Sequence, residues 1–332
     1  MIKLKKSLLI FFTTLLLGAI GLLMVYSSSS VWSAYKFNDA FYYVKHQGIF
    51  YLAGIVAILF MRKIDFNIYK KYANLILFIC LGLLILVLIP GIGQVRNGSR
   101  SWFGIGTLGM QPSEISKIAL IIFTAKYLAS NEKEVRSFKK GILPILLIIG
   151  LFFGLIMLEP DFGTGMVIVM TLVSMLFVSN IKLSFFGYTG LLGILGIVAL
   201  IIIAPYRMSR IVSFINPWSD PLGSGFQIIQ SLYAIGPGGL FGLGFGNSIQ
   251  QHFYLPEPQT DFIFAIISEE FGIMGIIILS ILFLTLFYNV IKISLNESDL
   301  FAKYLSFGLI MGIIIQTVLN ICVVIGLVPV TG

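Results

Sequence analysis

Apolar runs dominate this chain. They lie near residues 8–26, 46–61, 72–90, 113–129, 141–158, 163–179, 183–204, 260–291 and 304–328, with polar stretches between them. The runs are continuous and do not alternate residue by residue. A membrane barrel strand would show a period of two, whereas a run of roughly 20 apolar residues suits a helix that spans a bilayer. In lipid every backbone N–H and C=O needs an internal partner, and a helix supplies it. The pattern predicts an all-α polytopic membrane protein with about nine transmembrane helices. Residues 1–332 read as one domain, with a large loop at about 205–259 between spans seven and eight.

Composition sharpens this reading. Hydrophobic residues make up 58% of the 332 and charged residues only 11%, and the mean hydropathy is +1.00. Soluble domains carry about a quarter charged residues. Several spans hold breakers or charges, namely Pro144, Glu114, Lys117, Glu269 and Glu270. These are tolerated where they face a bundle interior or a cavity. The first run is too long for a signal-peptide core, and no small-residue cleavage site is clear before Ser27, so a retained span is expected. Cys80 and Cys322 are too far apart for a metal spacing or a disulfide framework, and His46 and His252 are too few for a histidine cage.

Charge sets the expected orientation. With the N-terminus in the cytoplasm, the cytoplasmic side holds most of the 22 basic residues, in the clusters Lys3 to Lys6, Arg62 to Lys71, Lys126 to Lys140, Lys182, Lys292 and Lys303. The outer side holds only Lys36, Lys45, Arg96, Arg100, Arg207 and Arg210, and Lys117 lies within a span. This positive-inside bias accounts for most of the net charge of +8 and gives no reason to invoke nucleic acid.

The 205–259 loop then falls outside. It is rich in aromatics and aliphatics, which argues against disorder and for packing down on the outer membrane surface. Its Gly-rich run, 236–246, has no preceding strand, no dinucleotide spacing and no Gly-Lys-Ser ending, so close packing is expected rather than nucleotide binding.

A few polar residues stand out against this background. Asp261 is a lone carboxylate at the mouth of the eighth span. Such a group serves either as a general base at the membrane–water boundary or as a helix N-cap. Arg207 and Arg210, three apart, share a helical face. They suit a diphosphate clamp, anionic lipid headgroups, or ion pairs with Glu159, Asp161 or Asp220. Glu114 and Lys117 are spaced for a charge pair within the fourth span. Glu159-Pro160-Asp161 forms a turn that could bind a hard divalent cation or simply stop one helix and cap the next. Glu269 falls about two turns below Asp261, and with Glu270 it would line a polar cavity or pair with Lys117.

Several segments together resemble the SEDS family (FtsW, RodA and SpoVE). They are Ser101-Trp102-Phe103-Gly104, Gln111-Pro112-Ser113-Glu114, Glu159-Pro160-Asp161-Phe162-Gly163-Thr164, Asn216-Pro217-Trp218, Gly225 to Ser231 and Pro256 to Glu270. They run in the family's order along nearly the whole chain, and Leu255 to Asp261 looks closest to the FtsW/SpoVE branch. The resemblance implies a peptidoglycan glycosyltransferase of the bacterial plasma membrane, active on its outer face. Such enzymes polymerise lipid II, the undecaprenyl-diphosphate-linked disaccharide pentapeptide, beside a class B penicillin-binding protein. It implies Asp261 as the catalytic residue and Glu114 with Lys117 as a charge pair. It also implies substrate contacts from Arg207, Arg210, Trp102, Gln227, Gln230, Ser231, Glu257 and Thr260. A divalent cation, Mg or Mn, would be held by Asp261, Glu159 or Asp161. The family fold has ten spans, and its members continue past Pro329-Val330-Thr331-Gly332 into a Pro-, Ser- and Gly-rich segment, so the resemblance implies a chain truncated before the tenth. Two rival readings remain open: a lipid II flippase, and a non-catalytic scaffold for the penicillin-binding protein.

Overall fold

The computed structural model describes residues 2–330 apart from 97, 106, 107 and 204. The nine apolar runs all form helices: α1 (Ile2–Phe37), α2 (Tyr42–Met61), α3 (Asn67–Leu88), α4 (Pro112–Ser130), α5 (Leu143–Leu158), α6 (Phe162–Val178), α7 (Leu183–Ile203), α10 (Ile263–Leu295) and α11 (Leu300–Val324). Two further helices, α8 (Pro205–Ile215) and α9 (Phe226–Ile235), sit in the predicted large loop. Among the described residues, six helical segments are long and apolar enough to cross a membrane: Lys6–Phe37, Tyr42–Met61, Asn67–Leu88, Phe138–Leu158, Ile263–Leu295 and Leu300–Val324.

One element departs from the all-α expectation. Between α3 and α4 the chain forms an antiparallel meander of β1 (Gln94–Arg96), β2 (Ser99–Ile105) and β3 (Leu108–Met110). Gln94 faces Trp102 and Phe103 faces Met110, with an irregularity between Gln94 and Val95. Strands this short lie below the length at which alternation is legible.

The chain divides into two compact units. The first comprises Met1–Ile64, Ile197–Asn289 and Thr317–Val330, and the second comprises Asp65–Gly196 and Val290–Gln316. The first has a core of Met24, Ala234, Leu255, Phe262, Phe264, Ala265, Ile266, Val323 and Val324. The second packs Leu84, Leu120, Phe152, Leu172, Met175 and Phe301 among others. Lipid is as apolar as these side chains, so close packing rather than transfer from water holds such cores together.

Candidate active site

Within the first unit, Asp261 sits in the turn that leads into α10. The turn is tied at both ends by apolar anchors, since Leu255 and Phe262 are buried in the core. Between them Glu257 takes a left-handed backbone (φ 47°), and its carbonyl accepts from the Thr260 N–H at 3.2 Å. Gln259 Nε2 donates to Glu257 Oε2 at 2.9 Å, and Asn320 Nδ2 of α11 donates to the Asp261 carbonyl at 3.0 Å. The backbone of Asp261 is thus held while its carboxylate makes no hydrogen bond among the described residues. By surface area the residue is exposed, yet desolvation by the protein atoms crowded around it pushes its carboxyl above the usual aspartate value. Both suit a base at a wet rim.

The alternative role for Asp261, a side-chain N-cap, finds no hydrogen bond in support. The neighbouring expectations are placed as follows. Glu257 and Thr260 are exposed on the same turn. Gln227 and Gln230 are half-buried on α9. Ser231 is fully buried, and its Oγ donates to the Val324 carbonyl at 2.7 Å, so its hydroxyl is committed to packing α9 on the end of α11. Arg210 on α8 donates to the Val330 carbonyl at 3.3 Å. Arg207 lies on α8 too, three residues earlier, but its side chain is outside the described part. Asp220 is occupied locally by the Ser224 N–H and hydroxyl, which hold its carboxyl below its usual value.

Glu269 and Glu270 have a role the sequence reading missed. At Gly272 the backbone leaves the helical region (φ 58°, ψ −157°), which breaks α10. The Gly-rich loop fills the break. Leu243 N–H and Gly244 N–H donate to the carbonyls of Glu269 and Glu270, while Ile273 and Met274 donate to the carbonyls of Gly239 and Leu240. The carboxylate of Glu269 accepts from Ser248 Oγ at 2.5 Å and from the Ile249 N–H at 2.9 Å, and Glu270 accepts from Ser27 Oγ at 2.5 Å. The Glu269 carboxylate therefore ties the loop to α10 and that of Glu270 ties α10 to α1, in place of the expected pairing with Lys117. A Cβ on Gly242 would stand 2.1 Å from the Glu270 carbonyl oxygen, so only glycine allows the approach. A Glu-Glu pair followed by glycine, preceded by a Gly-rich run, was the available signal.

The second unit holds the remaining sites. Lys117 Nζ pairs with Glu114 at 2.9 Å and also donates to Gln316 Oε1 at 2.7 Å, as the spacing predicts. Arg96 stacks its guanidinium over the half-buried Trp102 ring at 5.0 Å. Asp161 caps α6 by accepting from the Thr164 N–H at 3.0 Å, and its other oxygen accepts from Gln111 Nε2 at 2.6 Å. Glu159 is fully buried, with neither carboxyl oxygen bonded among the described residues. Burial first, and Asp161 second, push its carboxyl up to about 8. Asp161, with one oxygen on the Thr164 N–H and the other on Gln111, gives the turn its capping role. Among the described residues no three His, Cys, Asp or Glu side chains are grouped to hold a metal. Of the three expected cation ligands, Asp161 is hydrogen-bonded through both oxygens and Glu159 is sealed from solvent, whereas the Asp261 side chain is exposed with no hydrogen bond among the described residues.

The chain as a whole is similar to several known proteins. Stage V sporulation protein E of Bacillus subtilis (strain 168) is 51% identical over 330 residues, covering 99% of this chain and 90% of that protein. A probable peptidoglycan glycosyltransferase FtsW of Coxiella burnetii is 40% identical over 322 residues, covering 96% and 87%. A solved structure, described as showing structural coordination of polymerization and crosslinking by a peptidoglycan synthase complex, superposes with TM-score 0.76 at 26% identity, covering 97% of this chain and 88% of that one. The family described as cell cycle protein, that of FtsW, RodA and SpoVE, matches residues 7–332, and the chain belongs to it.

Proposed function

We propose that this protein is a peptidoglycan glycosyltransferase that polymerises lipid II at the outer face of the bacterial plasma membrane, in division or sporulation. Family membership and relatives named for that activity support it. The observation that carries the residue assignment is Asp261: a backbone held by anchors on both sides, with an exposed, unoccupied carboxylate of raised pKa.

The donor sugar is bonded to a lipid diphosphate, and the acceptor offers a hydroxyl. Asp261 removes the hydroxyl proton as the oxygen attacks the anomeric carbon. The sugar–phosphate bond breaks, and the polyprenyl diphosphate leaves with the bonding pair. One carboxylate suffices for this direct displacement with inversion, because no sugar–enzyme bond forms. Base catalysis of this kind contributes on the order of 10²–10⁴ in rate. Arg207 and Arg210 on α8 are assigned to the leaving diphosphate, where guanidinium matches phosphate geometry. A Mg or Mn ion would add charge neutralisation there, with Asp261 as the residue of this chain that would hold it.

The nine helical runs are read as nine of the family's ten spans, with the N-terminus cytoplasmic. The partner is a class B penicillin-binding protein, a reading supported by the similar structure of a complex that couples polymerization to crosslinking. The test is polymerisation of labelled lipid II by the purified protein with its partner. Asp261→Asn is expected to lose at least ~100-fold in rate while staying folded and inserted. Polymerisation at the native rate would end the assignment.

A further inference from the structure

A cavity of about 390 Å³ lies between α1 and α2. Its lining includes Gly21 and Val25 of α1, Gln47, Gly54 and Ile58 of α2, and Ile263 of α10, and carries no charged residue. The two helices are pinned at one point, where the Tyr51 hydroxyl donates to the Leu15 carbonyl at 2.6 Å and its ring rests on Gly18. Around that pin the glycines keep the space open: a Cβ on Gly21 or on Gly54 would meet nothing within 4 Å. The cavity reaches from Val25 down to Thr14 on α1, which is about 16 Å of helix rise. One wall is Ile263, two residues from Asp261 and at the mouth of α10.

We infer that this groove receives the polyprenyl tail of the sugar donor. The inference rests on the glycosyltransferase reading and adds to it a subsite for the substrate's lipid. A donor whose sugar–phosphate bond is cleaved beside Asp261 must send its tail from that point into hydrocarbon. The groove has Ile263, two residues from Asp261, in its wall, is uncharged, and runs along two helices apolar enough to span the membrane. A bilayer acyl chain has the same apolar chemistry but no reason to start at Asp261. Continuity with the catalytic turn is what selects the polyprenyl chain.

The experiment uses the full chain with its partner. Donor saturation is measured with native long-chain lipid II and with a dimethylallyl analogue, whose single isoprene unit ends before Gly21, about 6 Å of helix rise below Val25, and before Gly54. Gly21→Leu and Gly54→Leu put side chains into open space, so the helices keep their packing. The expected result is a rise of ~10-fold in KM for the long-chain donor, with kcat and all constants for the short donor unchanged. Equal effects on both donors, or no effect on either, would overturn the inference. A photoreactive polyprenyl diphosphate supplies a second readout independent of turnover. It should label peptides from α1 and α2, and excess unlabelled polyprenyl diphosphate should compete the label away. Competition by phosphatidylglycerol alone would assign the groove to ordinary lipid and overturn the inference too. Because labelling does not need Asp261, it separates failure of this subsite from failure of the catalytic assignment.

Discussion

At the scale of single residues, the question is what state Asp261 holds at the pH of the reaction. Burial raises its carboxyl above the usual value, so the deprotonated base disappears as pH falls through that raised value. The acid limb of the pH–rate profile should therefore have its midpoint above the ~3.9 of a free aspartate. A limb at or below that value would show that solvent reaches the group freely. The same sign governs stability. A carboxyl raised on folding weakens the fold once pH exceeds its unfolded value, so Asp261→Asn should melt no lower than the native protein at pH 7. Loss of activity without loss of stability separates a catalytic carboxylate from a structural one. The placement of Asp261 was legible as a lone acid at the mouth of an apolar run, although the run alone left a base and a helix cap equally open. Glu159 was less so: its turn was legible as a cap, but nothing in Glu-Pro-Asp reveals that one acid is sealed from partners and the other occupied.

At the scale of elements, the apolar runs translated directly into helices because length and hydropathy are sums, insensitive to detail. The features between them depend on particular pairings. The meander at 94–110 is built from strands too short to show a period, and it appears only once Trp102 has Gln94 opposite and Arg96 stacked on its ring. The break in α10 needed a partner distant in sequence, because Gly272 is tolerable only with the loop supplying the missing hydrogen bonds. Gly272→Ala should therefore be costly. Its backbone region is nearly glycine-only, worth on the order of 1–3 kcal/mol, and its new Cβ would lie 2.6 Å from the Gly242 nitrogen. Glu269→Gln tests the same splice more gently by placing an amide against the donors of Ser248 and Ile249. It should speed hydrogen exchange across 243–250 while leaving that of α3 unchanged. Unaltered exchange in the loop would mean that the carboxylate is dispensable to the splice.

At the scale of the whole molecule, the catalytic proposal depends on which side of the membrane the turn at 256–261 faces. The argument for the outer side is electrostatic. Basic residues near short loops resist translocation, and the clusters at Arg62 to Lys71 and Lys126 to Lys140 are separated from Glu257 by an odd number of the predicted spans. The orientation is checked with single cysteines placed in a Cys80→Ser, Cys322→Ser background and treated with a membrane-impermeant thiol reagent. Glu257→Cys and Tyr35→Cys, both at exposed positions, should label in intact cells; Lys133→Cys should label only after the membrane is opened. If residue 257 reacted only in opened cells, Asp261 would face the cytoplasm. A polymerase building wall outside the cell would then have its base on the wrong side, and a flipping or scaffolding role would take precedence.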